Sequence, residues 1–243
     1  MAMELDAMGT VLGVWAHPDD EAYLSAGLMG ALIDSGHRVA VATATYGELG
    51  VPEPDGVSTE QVAAMRRGEL VASLGHVGVL NHRSLGFMDG ACAAVLPAVG
   101  SKAVAEVIAE VQPDTILTFG PDGMTGHPDH RTVSSWTTAA WRASGRRGRL
   151  LYATLTPGFH EEWRALNERV GLWMSGNGPV TPEDELALYV ELTGAELDRK
   201  IAAVRAHTSQ TSELVEVVGP ETFRRWWSAE AFVAAESSLE AER

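Results

Sequence analysis

The stretch TVLGVWAHPDDEAYLSAG, residues 10–27, places an apolar run directly before a dense group of polar residues. Residues 10–16 have the near-continuous apolar character of a strand covered on both faces, and residues 21–35 have helical periodicity. The histidine and three carboxylates of residues 17–21 therefore lie between a buried strand and a helix. Carboxylates this close together repel one another unless a cation lies among them. The stretch predicts an α/β fold with a cation site at the end of its first strand.

The same alternation of strand and helix patterns continues along the chain. Further strands are predicted at residues 38–45, 77–81, 115–120 and 150–156, and further helices at 59–74, 101–111 and 129–144. Gly36 and Gly75 stand where the C-terminal caps of the first two helices belong. Strands that alternate with helices indicate a mostly parallel sheet with helices on both sides. Ligands of such sheets bind beyond the carboxyl ends of the strands.

The C-terminal third has a less regular pattern. It predicts helices at 159–169, 194–207 and 220–240, a loop at 177–184, and a strand at 187–192 at an edge of the sheet. The sequence contains no internal repeat, low-complexity tract or linker. We therefore expect a single domain over residues 1–243.

Composition and charge restrict the class of protein. The chain has 243 residues, 45% of them hydrophobic, and 18 basic against 33 acidic residues give a net charge of −15. That charge repels nucleic acid backbones and anionic membrane surfaces. The chain lacks the roughly 20 consecutive apolar residues of a membrane helix and a recognisable secretory signal. Its one cysteine, Cys92, excludes an internal disulfide and a cysteine-based zinc site. We expect a cytoplasmic protein with no nucleic acid or membrane partner.

A second polar cluster has the same placement as the first. The stretch GPDGMTGHPDHRTV, residues 120–133, follows a predicted strand and precedes a predicted helix. Two such strand ends can face each other across the crevice of a parallel sheet. His17, Asp20 and His130 would then supply two imidazoles and one carboxylate, the donor set of a catalytic zinc site with an open position. Such a set also accepts Fe²⁺, Co²⁺ or Mn²⁺.

These residues are sufficient for the hydrolysis of an amide. A bound metal lowers the pKa of water from about 16 to about 7. Asp19 could accept the proton of that water, and His127 could stabilise the oxyanion or protonate the leaving amine. Each cluster alone has a simpler explanation: Asp19 or Asp20 caps a helix in the first cluster, and the second is an ordinary loop. Two clusters at two strand-to-helix junctions favour the metal site.

The motifs resemble those of a known family. AHPDDE (16–21) and GHPDH (126–130), together with TATYGELG (43–50), RRGE (66–69), LGFMDG (85–90) and AHTSQ (206–210), resemble the LmbE-like, or PIG-L, zinc-dependent deacetylases. The resemblance implies a Rossmann-like three-layer sandwich and hydrolysis of an N-acyl group, usually the acetyl group of a GlcNAc-bearing substrate. By position it implies His17, Asp20 and His130 as zinc ligands. It also implies Asp19 as general base and His127 as the oxyanion or leaving-group partner.

Three further residues match substrate contacts of the family. Glu48 would accept hydrogen bonds from sugar hydroxyls, or be a solvated loop charge. Arg66 would bind hydroxyl or acidic groups of the aglycone, or pair with Glu69 within its helix. Asp89 would bind a hydroxyl, or simply begin a turn before Gly90.

The sequence departs from the family at Thr125, where mycothiol-type relatives carry a tyrosine that assists the oxyanion. His127 or the metal must then take a larger part in that role. His207, in AHTSQ, could lock the C-terminal segment against the sheet. Trp226 and Trp227 are expected to pack a late helix onto the body; exposed, they would suggest a homo-oligomer contact.

Our first hypothesis is a metal-dependent N-deacetylase that acts on a small N-acylated sugar conjugate. The alternatives are an amidase acting on a thiol conjugate, such as a mycothiol S-conjugate, and a non-catalytic module that binds a glycoconjugate. A nucleotide-binding protein is disfavoured, because AHPDDE puts carboxylates where a glycine-rich loop would accept phosphate.

Overall fold

The structure is a computed structural model that describes residues 5–51 and 57–235. Its strands are β1 (Val11–Trp15), β2 (Val39–Thr43), β3 (Asn81–Ser84), β4 (Thr115–Phe119), β5 (Arg149–Thr154), β6 (Leu188–Glu191) and β7 (Ala229–Ala234). They form one sheet in the order β3-β2-β1-β4-β5-β7-β6. Strands β1 to β5 pair in parallel, whereas β7 runs antiparallel to both β5 and β6. The predicted mostly parallel sheet is confirmed.

Helices flank this sheet. They are α1 (Asp20–Asp34), α2 (Thr59–His76), α3 (Pro97–Val111), α4 (Pro128–Ala143), α5 (Pro157–Val170), α6 (Gly194–Ala206), α7 (Thr208–Val218) and α8 (Pro220–Trp226). Helix α3 packs against α4, while α1 and α2 both pack against α6. Among the described residues, no helix combines the length and the apolar character needed to cross a membrane.

The central strands form the core of the molecule. Every residue of β1, β2 and β4 is buried, as expected for parallel strands that are covered on both faces. Trp15 and Phe119, at the ends of β1 and β4, are fully buried and pack edge to face with ring centroids 5.1 Å apart. The two adjacent strands are thereby held in register immediately below the loops that follow them.

The strand predicted at residues 77–81 is wrong. Helix α2 continues through Gly75 to His76, and Gly78, with a φ of +76°, provides the turn that follows it. Val77 and Val79 are buried in this connection, which explains the apolar run. The third strand is instead the polar stretch Asn81–Ser84. It lies at the edge of the sheet with β2 as its strand partner. Its residues alternate between exposed and half-buried, which is why polar side chains are tolerated there.

The helix predicted at 220–240 is also wrong. Helix α8 ends at Trp226, and the chain then enters β7, between β5 and β6; residues 236–240 lie outside the described residues. Glu230 interrupts the apolar pattern of this strand. Its buried carboxylate lies 2.9 Å from Lys200 Nζ and accepts backbone N–H groups of Gly27 and Leu28. Tertiary pairing outweighs the helical propensity of this alanine-rich segment.

The other predictions for the C-terminal third are mixed. The edge strand predicted at 187–192 is confirmed by β6, and the helix predicted at 159–169 by α5. The helix predicted at 194–207 matches α6, which ends at Ala206. Helix α7 follows directly after His207 and was not predicted.

Candidate active site

A cavity of about 420 Å³ opens beyond the carboxyl ends of the central strands. The loop after β1 and the start of α1 bring His17, Asp19 and Asp20 to it, and the loop after β4 and the first turn of α4 bring His127 and His130. Strands β1 and β4 are neighbours that run in parallel. The two polar clusters therefore meet at the same edge of the sheet, as their positions in the sequence predict.

The turn into α1 separates two adjacent carboxylates. Asp19 has a φ of +122° and makes no side-chain cap hydrogen bond to the helix that it precedes. A residue with a Cβ in this region costs of order 1–3 kcal/mol and persists only where its surroundings impose it. Asp20 accepts the backbone N–H of His17 at 2.8 Å, whereas Asp19 contacts Arg66 at 3.0 Å. The strained backbone gives the two carboxylates different directions.

His17 has a different environment at each ring nitrogen. Its Nε2 lies 3.1 Å from Asp89 Oδ1 and 3.4 Å from Asp129 Oδ2. Its Nδ1 lies 3.1 Å from His130 Nε2 and 3.7 Å from Asp20 Oδ2. In the neutral ring, a proton on Nε2 is donated to the two carboxylates and the lone pair of Nδ1 is directed at His130; we assign this tautomer from the hydrogen-bond network.

His130 is held in a complementary way. Its Nδ1 lies 3.0 Å from the carbonyl oxygen of Gly123, to which it donates, and its ring stacks on Phe119 with centroids 4.2 Å apart. Its Nε2 therefore presents a lone pair, 3.1 Å from His17 Nδ1 and 3.3 Å from Asp20 Oδ1. The two imidazole nitrogens and the Asp20 carboxylate thus face one another, an arrangement that a cation stabilises.

The separations of these three donor groups fit a divalent ion. Zinc bonds of about 2.0–2.2 Å at tetrahedral angles place neighbouring ligand atoms roughly 3.3–3.6 Å apart. The observed separations are 3.1 Å between the two imidazole nitrogens, 3.3 Å from His130 Nε2 to Asp20 Oδ1 and 3.7 Å from His17 Nδ1 to Asp20 Oδ2, so each imidazole faces a different carboxylate oxygen. Two other groups, in which one ligand atom from each residue lies within 4.8 Å of the others, are His17 with His127 and His130, and His17 with Asp89 and Asp129. The last group would use Nε2 of His17, the opposite side of the ring.

The two imidazoles at this point titrate in opposite directions. Burial acts to lower the pKa of His17, but hydrogen bonds to Asp129 and Asp89 and the charge of Asp20 outweigh it and raise the pKa to about 10. Burial and the charge of His17 lower the pKa of His130 to about 3. His130 is therefore a neutral imidazole, the form that binds a metal ion. Without an ion His17 is an imidazolium at neutral pH, and a bound divalent ion would replace the proton on its Nδ1.

Arg66 lies against the base of the cavity and is 3% exposed. It donates to the carbonyl oxygens of Pro18 and Gly47 and to Asp19 Oδ2. A Cβ on Gly47, whose φ is +67°, would lie 2.2 Å from this guanidinium. The pairing of Arg66 with Glu69, considered from the sequence, does not form, because Glu69 accepts hydrogen bonds from residues 208–209. Burial raises the pKa of Asp19 to about 6, against the charge of Arg66.

His127 faces the cavity beside these groups. Its Nδ1 accepts the backbone N–H of Asp129 at 3.1 Å, so the proton of the neutral ring is on Nε2. Burial and the charge of His17 lower its pKa, and its ring packs edge to face on His17 with centroids 4.7 Å apart. His127 is thus a neutral hydrogen-bond donor.

Of the predicted substrate contacts Asp89 and Glu48, Asp89 lines the cavity and Glu48 supports its backbone from outside the cavity. Asp89 lines the cavity, with Oδ1 on His17 and Oδ2 accepting the N–H of Leu49 at 2.9 Å. Glu48 does not line the cavity; its Oε1 accepts the backbone N–H of Asp89 at 3.0 Å. The contact predicted between Glu48 and the substrate stays a prediction.

Sequence reasoning missed the role of Asp129. Its side chain is fully buried and accepts the backbone N–H groups of Gly90 and Cys92 at 2.7 and 3.1 Å. It thereby fixes the loop that carries Asp89 and also contacts His17 Nε2. A carboxylate between the two histidines of HPDH was the available signal, because histidines that bind metals usually donate their other nitrogen to a carboxylate.

Glu21 turns away from the cavity. Its Oε1 lies 3.0 Å from Nε2 of His207, and both side chains are fully buried. Its Oε2 accepts the backbone N–H of Asp19. His207 therefore ties the C-terminal segment to the strained turn, as the sequence suggested. The third carboxylate of the HPDDE cluster is balanced by a histidine rather than by a metal.

Comparisons with known proteins identify relatives of this chain. The family model described as PIG-L, GlcNAc-PI de-N-acetylase, matches residues 12–141. The chain is 32% identical over 256 residues to a 1D-myo-inositol 2-acetamido-2-deoxy-alpha-D-glucopyranoside deacetylase of Kineococcus radiotolerans, covering 86% of this chain and 70% of that one.

Two solved structures share the fold. N,N'-diacetylchitobiose deacetylase from Pyrococcus horikoshii has a TM-score of 0.67 at 22% identity, covering 95% of this chain and 85% of that one. The 4-carboxy-2-hydroxymuconate hydratase of Pseudomonas putida KT2440 has a TM-score of 0.63 at 17% identity, covering 93% and 96%. Because one is a deacetylase and the other a hydratase, the fold alone does not determine the reaction.

Proposed function

The chain belongs to the PIG-L, or GlcNAc-PI de-N-acetylase, family, and on that premise we propose that it is a zinc-dependent N-deacetylase of a small GlcNAc-type conjugate. The observation that carries the proposal is the convergence of Nδ1 of His17, Nε2 of His130 and the carboxylate of Asp20. These three residues would hold the ion. When bound, the metal supplies Lewis acidity, which activates water and polarises the acyl carbonyl.

Asp19 is the proposed general base. Among the described residues its side-chain hydrogen bond is at Oδ2, to Arg66, so Oδ1 is the atom available to take a proton from the attacking water. Arg66 fixes the orientation of the carboxylate. The same Oδ1 can then return the proton to the departing amine, whose C–N bond breaks as the acetate forms.

His127 is the proposed oxyanion donor. Its Nδ1 is occupied by a backbone N–H, so Nε2 donates a proton in a hydrogen bond to the carbonyl oxygen as negative charge develops there. The side chain of Thr125 lies 3.5 Å from His130 Nδ1 and is too short to act as the tyrosine of mycothiol-type relatives does. His127 therefore carries this role.

The contacts of Asp89 support a positioning role in addition to the predicted hydroxyl contact. It shares Nε2 of His17 with Asp129, and such carboxylates set the tautomer and basicity of a ligating histidine.

The site also accepts Fe²⁺, Co²⁺ or Mn²⁺ by its donor set. An amidase of thiol conjugates and a binding module without activity are the alternatives that the test must separate. A cytoplasmic location is part of the proposal.

Asp19→Asn tests the assignment of the base. The zinc-loaded variant is expected to keep one metal equivalent and to lose about 10²–10⁴-fold in kcat for amine release from GlcNAc conjugates, since only the base is removed. Asp184→Asn, in the exposed 3₁₀ helix Glu183–Glu185, is the matched control. Unchanged turnover, or loss of the metal together with activity, would remove Asp19 from this role.

Metal replacement tests the cofactor. Chelation is expected to abolish amine release and zinc to restore it, with Fe²⁺, Co²⁺ and Mn²⁺ compared at equal loading. Release of amine only from thiol conjugates would favour the amidase. If the zinc-loaded protein releases no amine from any N-acyl substrate, the binding module is favoured instead.

A further inference from the structure

The cavity beside His17 has two chemically different sides. One side carries the histidines and carboxylates described above. The rest of its lining includes six apolar or aromatic residues, which we call the apolar wall: Tyr23, Phe159, Leu172, Trp173, Leu214 and Trp227. Because both sides line the same cavity of about 420 Å³, whatever occupies the apolar wall lies next to the reacting amide.

The apolar wall is formed before any ligand binds. Trp227 is 9% exposed, and its ring centroid lies 4.6 Å from that of Tyr23 and 6.4 Å from that of Phe159. These rings belong to a second hydrophobic cluster, separate from the main core. A surface fixed by such packing does not rearrange at low cost.

The segment that carries Trp173 is also anchored. The Trp173 ring stacks on His160 with centroids 5.6 Å apart, and the next backbone N–H, of Met174, donates to the carbonyl oxygen of Thr125 at 2.8 Å. The loop after α5 is thereby tied to the loop after β4, which leads to His127 and His130. This hydrogen bond keeps the position of Trp173 constant relative to the two histidines.

Few hydrogen-bonding groups complement a hydroxylated ligand on this side. Outside the polar cluster and Arg66, the polar side-chain groups of the described lining are those of Thr125 and Gln210 and, on the apolar wall itself, the Tyr23 hydroxyl and the indole N–H groups of Trp173 and Trp227. An inositol aglycone carries a hydroxyl group on every ring carbon except the one that bears the glycosidic oxygen. Hydroxyls that lose water without gaining a partner weaken binding, whereas an apolar group gains from burial in the same place.

We infer that the substrate carries an apolar group, aromatic or alkyl, next to the amide that is cleaved. This inference rests on the proposed deacetylase function and specifies its substrate class. The polyhydroxylated aglycone named for the bacterial relative is a poor match for the apolar wall. The group can be the aglycone of a GlcNAc glycoside or the N-acyl chain itself, since both are attached close to the carbonyl carbon.

A substrate series on the zinc-loaded protein tests this inference. The probes are GlcNAc, GlcNAc-inositol, the octyl and 4-nitrophenyl glycosides of GlcNAc, and N-octanoylglucosamine, with released amine as the readout. We expect an apolar probe to exceed both GlcNAc and GlcNAc-inositol at least about tenfold in kcat/KM, mainly through KM. Preference for the glycosides identifies the aglycone as the apolar group, and preference for the octanoyl amide identifies the acyl chain.

The outcomes separate this inference from the proposed function. Efficient cleavage of GlcNAc-inositol, at least equal to that of every apolar probe, would overturn the inference and leave the deacetylase intact. If no probe yields amine, the proposed deacetylase function is refuted. Binding of octyl GlcNAc, measured by calorimetry, then tests the apolar binding site independently of activity, and absence of binding overturns the inference.

Leu214→Asn places a polar group on the apolar wall. The ratio of kcat/KM for the preferred apolar probe to kcat/KM for GlcNAc is expected to fall about tenfold. Val217→Asn, on the exposed side of the same helix, is the matched control and should leave the ratio unchanged. Thermal unfolding of both variants identifies a folding defect, in which case the substrate series on the unmodified protein still decides.

Discussion

Replacing His207 by leucine should cost about 3–5 kcal/mol of stability. Both side chains of the His207–Glu21 pair are 0% exposed, and removal of one partner from such a pair leaves an uncompensated buried charge. Glu21 would retain the N–H of Asp19 and the hydroxyl of Ser73, neither of which carries a charge. At about 2–4 °C for each kcal/mol in a chain of this size, the melting temperature should fall by roughly 6–20 °C.

The double variant Glu21→Gln/His207→Leu makes the prediction specific. Since it removes the buried charge as well as its partner, it should be more stable than His207→Leu alone, by about 1–2 kcal/mol. Urea unfolding of chelator-treated protein at pH 6, read as a change in midpoint at constant m, gives the four free energies of unfolding, of the unmodified protein, of Glu21→Gln and His207→Leu alone, and of the double variant.

The control is His76→Leu, at the exposed end of α2, which should change the free energy of unfolding by less than about 0.5 kcal/mol. A double variant that is less stable than His207→Leu, with additive losses, would refute the reasoning. It would show that Glu21 and His207 contribute by packing alone rather than as a coupled pair.

Three other predictions concern the residues around the cation site. Arg66→Met should lower kcat about 10–100-fold through loss of a charged hydrogen bond to Asp19; a change in KM alone, in steady-state kinetics, would instead make Arg66 a substrate contact. Asp129→Asn should weaken metal binding about 10–100-fold, as measured by competition with a chelating dye, and unchanged affinity would contradict its contact with His17. The pKa of His207 is raised, because its interactions with Glu21 outweigh burial. The stability advantage over His207→Leu should therefore be complete below about pH 6.5 and decline as the pH rises through the folded-state pKa; a pH-independent difference would exclude this linkage.

The sequence predicts best what depends on burial of whole strands. Residues in β1, β2 and β4 read as continuous apolar runs because both faces of each strand are covered. The positions of His17 and His130 follow from that pattern, since the ends of parallel strands share one edge of the sheet. The meeting of the two polar clusters was therefore predictable without coordinates.

Features that depend on distant partners were not predictable in the same way. Strand β3 is polar because it lies at an edge, and β7 contains Glu230, whose buried partner Lys200 is on a helix. Glu21 and His207 lie 186 positions apart, and nothing local to either residue specifies the pairing. Arg66 shows the same limit, because helical spacing predicts a neighbour at Glu69, whereas packing directs the guanidinium to Asp19.

The central claim is that a divalent ion binds between His17, Asp20 and His130. The most direct test is a crystal structure of the zinc-loaded protein with an anomalous map at the zinc edge. Our account predicts the ion on Nδ1 of His17, with Nε2 of His130 and the carboxylate of Asp20. An ion on Nε2 of His17, bound by Asp89 and Asp129, would contradict it.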